Sequence, residues 1–241
     1  GLQRDGGLAQ YCRVPAATCR AVAPYGLAPD VATLAQPMAV ATHAMRRGRL
    51  TGNDHAVVIG AGGIGAFLTF AAVVQGAHVT VVDLDTARLD LAARLGAHEV
   101  VVPQPDVPAR QWLPVPPGFP TVVYEVSGSP AGLATGRMLV SAGGRLVVVG
   151  LQPAPAELDL RDLTLREVEV IGTNAHVCDD DLPHALGLLA AREESWSDVA
   201  PVALGLDDLV ADGLEPLASG RSQRIKTLVD PWISARRATQ M

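Results

Sequence analysis

Apolar residues along this chain fall into short unbroken runs that alternate with segments of helical spacing. Residues 56–60, Ala-Val-Val-Ile-Gly, form a continuous apolar run, as expected of a strand buried on both faces. The pattern then predicts a helix over 63–76 ending at Gly76, a strand at 78–83, a helix over 85–95 stopped by Gly96, and a short strand at 98–102. A second half repeats the scheme with a strand at 121–126, a helix over 130–140, and a strand at 145–149 entered through Gly143 and Gly144. A further strand at 168–172 and a helix over 180–193 follow. Two successive βαβ halves with right-handed crossovers predict an α/β fold, a doubly wound parallel sheet in the order 3-2-1-4-5-6. Between the halves, residues 103–120 hold seven prolines and are predicted to be a long irregular crossover.

The two ends follow another plan. Residues 8–15 have the character of a short strand. Val31, Leu34, Met38, Ala41 and Met45 predict a helix over 30–48, with Asp30 as N-cap, a kink at Pro37 and a stop at Gly48. Near the C-terminus a strand at 199–204, a helix over 206–219 and a strand at 224–230 are predicted to return to a second domain, leaving 232–241 as a loose terminus. The chain opens on Gly1 and runs directly into a glycine-rich turn and a strand-like segment. That beginning is expected of the middle of a longer protein, with proteolytic maturation as the alternative.

Composition narrows the function classes. Apolar residues are 49% and charged residues 18%, enough to bury a core, and with aromatics at 4% that core must be built from Ala, Val and Leu. A net charge of −6 argues against a nucleic-acid surface, and Arg46, Arg47 and Arg49 are better read as a solvated helix end. Cys12, Cys19 and Cys178 are odd in number and widely spaced, which suits a reducing, cytoplasmic location better than a disulfide framework. The N-terminus has no apolar signal core, and Ala66 to Val74, the longest apolar stretch, is too short to span a membrane.

The chemistry concentrates in Gly60-Ala61-Gly62-Gly63-Ile64-Gly65, which follows an apolar strand and opens a helix. In that context the spacing is a Rossmann-type dinucleotide turn. Gly60 allows the tight turn, Gly62 lets a pyrophosphate approach the backbone, and Gly65 lets the helix pack on the strand. Asp83 ends the second strand eighteen residues after Gly65, where an acid can accept hydrogen bonds from both ribose hydroxyls and repel a 2′-phosphate. NAD is therefore expected over NADP. Asp83 could instead cap a helix, although Asp85 is the better N-cap.

With these motifs in view, the chain resembles the medium-chain zinc-type alcohol and polyol dehydrogenases, especially the sorbitol, butanediol and threonine dehydrogenase branch. The resemblance rests on Gly6-Gly7-Leu8-Ala9-Gln10-Tyr11, on Ala35-Gln36-Pro37-Met38-Ala39-Val40-Ala41-Thr42-His43-Ala44, and on the glycine turn. Glu125-Val126-Ser127-Gly128 and Gly143-Gly144-Arg145-Leu146-Val147-Val148-Val149-Gly150 follow in the family's order. It runs from about residue 6 to residue 231. It implies remnants of a GroES-like catalytic domain at 1–35 and 196–241 around an NAD-binding domain at 36–195. It also implies reversible hydride transfer between an alcohol or carbonyl substrate and nicotinamide. The cofactor would be lined by Gly60, Gly62, Gly63, Ile64, Gly65 and Asp83, then by Ser127 and Gly128, Val149, Gly150 and Leu151, and Thr173 with Asn174. Lys226 sits where the family often places a basic residue near a cofactor phosphate, and a solvent-exposed strand lysine is the competing account. Pairing of subunits through the sheet edge Val168 to Gly172 would give a homo-oligomer.

By the same resemblance the family's catalytic zinc would be held by residues preceding this chain, about a hundred of them. None of the three cysteines falls at a zinc-ligand position, and Gln36 stands where the branch usually has Glu. Catalytic zinc needs three protein ligands and an open position. His176, Cys178, Asp179, Asp180, Asp181 and His184 form a candidate cluster whose acids are better explained as the first turn of a helix. Gln36 and His43 are the catalytic candidates, His43 as a proton relay against a packed helix residue. His55, His78 and His98 flank strands in structural roles. Glu125 is expected to bond a neighbouring backbone group or an arginine. A non-catalytic NAD-binding module and a zinc-independent reductase are the alternative functions.

Overall fold

A computed structural model of the protein describes residues 4–104, 107–113, 121–222 and 224–241. The chain divides into two compact units, Pro37–Val177, and Gly1–Gln36 together with Cys178–Met241.

The first of these holds a six-stranded parallel sheet of β1 (His55–Ile59), β2 (His78–Val82), β3 (Glu99–Val101), β4 (Thr121–Glu125), β5 (Arg145–Val148) and β6 (Glu169–Gly172). Their order is β3-β2-β1-β4-β5-β6, the doubly wound order expected from the sequence. The central strands β1 and β4 are buried along their whole length, which is why apolar residues fill their middles, Ala56 to Ile59 and Val122 to Tyr124. Val57, Ile59, Val82, Val123 and Leu146 meet Leu139 in one core cluster. Helices Gly65–Val74, Thr86–Arg94 and Pro130–Leu139 connect the strands. Asp85 caps the second of them, accepting the N–H groups of Ala87 at 2.9 Å and Arg88 at 3.3 Å. Of the proline-rich crossover, 105–106 and 114–120 lie outside the described residues, and Ala109–Trp112 is a helical turn. A helix at Leu160–Leu165, capped by Asp159, escaped the periodicity because it is shorter than two turns.

The predicted helix over 30–48 is two helices, Pro29–Ala32 and Ala35–Arg47. Pro37 does not kink a continuous helix. It occupies the first turn of the second one, where its missing N–H interrupts nothing. The stop is also displaced by one residue: Leu50 N–H bonds Met45 C=O at 3.0 Å across Arg49, which takes the left-handed conformation at φ 51°. Gly48 is small for another reason, since a Cβ there would lie 2.7 Å from the hydroxyl oxygen of Tyr124. Burial pushes the Tyr124 phenol far above its ordinary range.

At the N-terminal ends of the first three strands, three histidines gather. The His55 and His78 rings stand perpendicular with centroids 4.8 Å apart, and His98 lies 4.5 Å from His78. Burial pushes the pKa of His55 down, helped by the neighbouring His78.

The second unit carries a three-stranded sheet of β7 (Val202–Leu204), β8 (Leu228–Val229) and β9 (Arg237–Ala238) in the order β8-β7-β9. The terminus predicted to be loose is thus fixed: β9 pairs antiparallel with β7, and Arg237 bonds both Asp30 and Asp230. Asp30 is consequently not the N-cap of its helix, because its carboxylate is committed to Arg237. The 206–219 segment forms a π-helical stretch at Leu209–Leu214 followed by Glu215–Ala218. Residues 8–15 form no strand. Leu8, Tyr11 and Val14 are exposed, and a segment with no paired neighbour has no ladder to join. No helix among the described residues is long and apolar enough to cross a membrane.

Candidate functional site

The C-terminal ends of the parallel strands carry the glycine turn and most of the residues grouped with it. Gly60 continues the ladder by donating its N–H to Val82 C=O at 2.8 Å, then turns at φ 100°, a region open to glycine. A Cβ at Gly60 would lie 2.8 Å from the backbone nitrogen of Ser127, so the loop after β4 abuts the loop after β1. A Cβ at Gly65 would run into the carbonyl oxygen of Gly60, which makes glycine obligatory for the close helix–strand approach. Gly62 is different: its Cβ would meet only the Arg88 guanidinium, at 3.9 Å. The space there is open, as a ligand-facing glycine requires. Ile64 precedes the helix, and no side chain caps the helix start.

Asp83 follows β2 and is half-buried. One carboxylate oxygen accepts the Ala61 N–H at 2.6 Å and the other accepts the Asp85 N–H at 2.9 Å. The acid therefore braces the glycine turn and does not cap the following helix, which is Asp85's task. Gly60, Gly62, Asp83, Asp85, Arg88 and Ser127 line a cavity of about 720 Å³ whose walls continue through Pro103, Val107 and Thr135. Arg88 was not among the sequence candidates. It sits one turn into the helix after Asp83, its Nε 3.6 Å from Asp85, and that i,i+3 spacing was the available signal.

The remaining lining positions cluster around Glu125. This carboxylate ends β4 fully buried. One oxygen accepts the Ser127 hydroxyl at 2.5 Å and the Gly128 N–H at 3.0 Å, and the other accepts the Gln152 amide at 3.0 Å. Its partners are thus loop groups, and among the described residues no arginine bonds it. Gly128 has φ 65°, and a Cβ on it would lie 2.8 Å from the Leu151 carbonyl. A Cβ at Gly150 would in turn lie 2.9 Å from Glu125 Oε2. Ser127-Gly128 and Val149-Gly150-Leu151 are therefore interlocked, with the Val149 and Gly150 N–H groups both 2.9 Å from the Glu125 carbonyl. Thr173 joins the same sheet end by donating its N–H to Val148 C=O at 3.2 Å. Gln152 was missed because nothing in its local sequence marks it.

Gln36 is exposed. His43 is half-buried, with Nδ1 3.3 Å from the guanidinium of Arg46. Lys226 belongs to the unit with Cys178–Met241, where burial lowers its ammonium pKa.

Metal donors are elsewhere. Cys12 and Cys19 are exposed, Cys178 places its sulfur 3.5 Å from the Thr18 carbonyl, and Asp179 pairs with Arg20. Among the described residues one group of three side chains could hold an ion, namely His55, His78 and Glu99. It lies at the opposite end of the strands from the glycine turn.

Comparison with known proteins agrees with this arrangement. Residues 63–191 match the family model described as zinc-binding dehydrogenase. Sorbitol dehydrogenase of Rattus norvegicus is 28% identical over 231 residues, covering 94% of this chain and 64% of that protein. L-threonine 3-dehydrogenase of Anaeromyxobacter dehalogenans is 30% identical over 231 residues, covering 93% and 65%. Among solved structures, 2R,3R-butanediol dehydrogenase from Bacillus subtilis superposes with a TM-score of 0.70 at 30% identity, over 82% of this chain and 56% of that one. The chain thus spans less than two thirds of the length of these relatives. With the family model matching 63–191 of its 241 residues, and the doubly wound sheet and glycine turn in place, the chain belongs to the zinc-binding dehydrogenase family.

Proposed function

We propose that the chain binds NAD across the turn Gly60–Gly65 and serves reversible hydride transfer between that cofactor and a secondary alcohol or polyol, or the matching carbonyl. One observation carries the reading: Gly60 and Gly62 of the turn and the acidic strand end at Asp83 line the same cavity. The dipole of the helix that begins at Gly65 favours a pyrophosphate at its start, and the open face at Gly62 admits it. Each Asp83 oxygen accepts one backbone N–H, which leaves lone-pair capacity for a ribose hydroxyl. Asp83 and Asp85 together outweigh the single charge of Arg88, so a 2′-phosphate meets net repulsion. Ser127, Gly128, Val149, Gly150, Leu151 and Thr173 would border the nicotinamide half. Bound NAD supplies the hydride acceptor, and its reduced form the donor. Fluorescence titration with NADH and NADPH tests the reading, and tighter binding of NADPH would sink it.

The donors present do not fit the family's catalytic zinc. Among the described residues no cysteine belongs to the unit that carries the turn, Gln36 is neutral and exposed, and His55, His78 and Glu99 occupy the opposite end of the sheet. No metal-assisted step is derived for this chain. That mismatch favours a second reading, an NAD-binding module without alcohol oxidation, or a zinc-independent reductase. NADH binding with no oxidation of any alcohol, with or without added zinc, would support the module. Self-association through the edge strand β6, where Val170 is 40% exposed, is the proposed oligomeric contact. Light scattering showing a clean monomer would count against it.

A further inference from the structure

We propose that His55, His78 and Glu99 form a second, structural site for a divalent transition-metal ion of the zinc type, on the N-terminal edge of the parallel sheet. The site follows from strand register, which brings together residues far apart in sequence. In the β1–β2 ladder His55 stands opposite His78, and in the β2–β3 ladder Thr80 stands opposite Glu99. One ligand atom from each of the three side chains lies within 4.8 Å of the others. His78 Nε2 lies 3.9 Å from Glu99 Oε1.

The donor set decides the ion. Two imidazoles and one carboxylate suit zinc and its first-row neighbours, whereas calcium and magnesium require oxygen ligands nearly throughout. Three protein ligands leave a fourth position for water. Zinc bonds of about 2.0–2.1 Å place tetrahedral ligand atoms roughly 3.3–3.4 Å apart, so the widest separation, up to 4.8 Å, must contract by about 1.5 Å. It has the freedom to do so. His55 is a buried anchor at 3% exposure, while the side chains of His78 and Glu99 are 43% and 52% exposed and can swing inward.

The surroundings already orient the ligands. Thr80 Oγ1 lies 2.7 Å from His55 Nε2 and donates to Glu99 Oε2 at 3.1 Å, which links the anchor to the carboxylate. His98 packs on the His78 ring at 4.5 Å while its own Nδ1 accepts the Val79 N–H at 3.1 Å, which holds it in place. Such outer contacts are what tune ligand orientation in metal sites. An ion here would clamp β1, β2 and β3 together. It would not reach Gly60, Asp83 or Ser127 at the other strand ends, so it is distinct from any hydride-transfer chemistry.

The test uses the whole chain, stripped with chelator and titrated with cobalt and then zinc. One equivalent of cobalt should bind with a visible ligand-field spectrum and no thiolate charge-transfer band, and zinc should displace it and raise Tm. His78→Ala and Glu99→Gln alter exposed groups and should fold normally, yet each should weaken cobalt binding by about tenfold or more. Cys178→Ser should change nothing. Failure to bind cobalt at micromolar concentration overturns the proposal. Undiminished binding in both ligand variants overturns it equally, as does a thiolate band in the bound state. None of these readouts involves NADH, so the outcome is independent of the cofactor reading.

Discussion

The Asp83 carboxylate accepts the backbone N–H of Ala61 at 2.6 Å, joining the end of one strand to the first residue inside the glycine turn. Asp83 is thus asked to do two things, to hold the turn and to select the cofactor. Asp83→Asn separates them. The amide oxygen can still accept from Ala61, but the amide nitrogen cannot accept the Asp85 N–H and the negative charge is gone. Tm should fall slightly with that one hydrogen bond, while the preference for NADH over NADPH should shrink by about tenfold, or ~1.4 kcal/mol. Parallel fluorescence titrations read the ratio, and an unchanged ratio would assign selectivity to some other group.

The glycines of the turn divide in the same way. Gly65→Ala drives a methyl group into the Gly60 carbonyl, a backbone atom with no rotamer to escape through. We expect a loss of about 2–4 kcal/mol in urea unfolding, the range of severe packing and strain defects. Gly62→Ala meets only the end of Arg88 at 3.9 Å. It should unfold like the parent and bind NADH weakly. If both variants lose the same stability, Gly62 is a structural glycine and does not face the ligand.

Sequence alone carries the sheet because its central strands are rich in Val and other apolar residues and its turns are punctuated by Gly76, Gly96 and Gly143, each with positive φ. Such signals are local. The features it missed are contacts between distant segments. Arg237 looks like part of a charged tail until the fold brings it to Asp30, 207 residues away. Residues 8–15 have the character of a strand, but a strand also needs a partner, and pairing is not written into eight residues. Around the candidate site, the turn and Asp83 are legible from spacing, whereas Arg88 and Gln152 matter only through what they face. His55, His78 and Glu99 each look like ordinary strand-end residues, and only the register makes them a group.

Glu125 offers a test of how the loops after β4 and β5 are held. The Oε1 atom of Gln152 is buried without a partner while its amide nitrogen bonds Glu125. Glu125→Gln therefore has a way to adapt. Its oxygen can keep Ser127 and Gly128, and a flip of Gln152 lets the new amide donate to the Gln152 oxygen, leaving the Gln152 amide nitrogen as the single unpaired group. The cost should stay at about 1–3 kcal/mol. Glu125→Ala has no such remedy, because it strands the Gly128 N–H and the Gln152 amide in a buried site, at about 1–3 kcal/mol for each group left unpaired. Urea midpoints of the two variants should differ widely and NADH affinity should fall only in the alanine variant. Equal effects would remove the flip argument.

The link between Asp30 and Arg237 makes stability depend on acid in a definite direction. The Arg237 hydrogen bonds hold the Asp30 carboxyl below its ordinary 3.8, against the opposing effect of its own burial, and the Gln240 N–H adds to the lowering. Arg237 is raised in turn by Asp30 and Asp230. A carboxyl whose folded pKa is depressed adds stability that is fully present above the unfolded value. That stability is lost as pH falls through the folded one. The native protein should therefore keep this contribution at pH 5 and lose it only in the strongly acidic range. Arg237→Ala reverses the balance. Desolvation then dominates at Asp30, its folded pKa rises, and a nearly buried charge is left without its counterion. Such a break costs about 3–5 kcal/mol for a fully buried pair. Because the Arg237 side chain is 30% exposed, the loss should fall at or below the lower end of that range. The acid-unfolding midpoint followed by circular dichroism should move to higher pH, and β9 should fray first, since Arg237 is one of its two residues. Superimposable acid curves for the parent and the variant would show that the pair contributes nothing to anchoring the C-terminal strand.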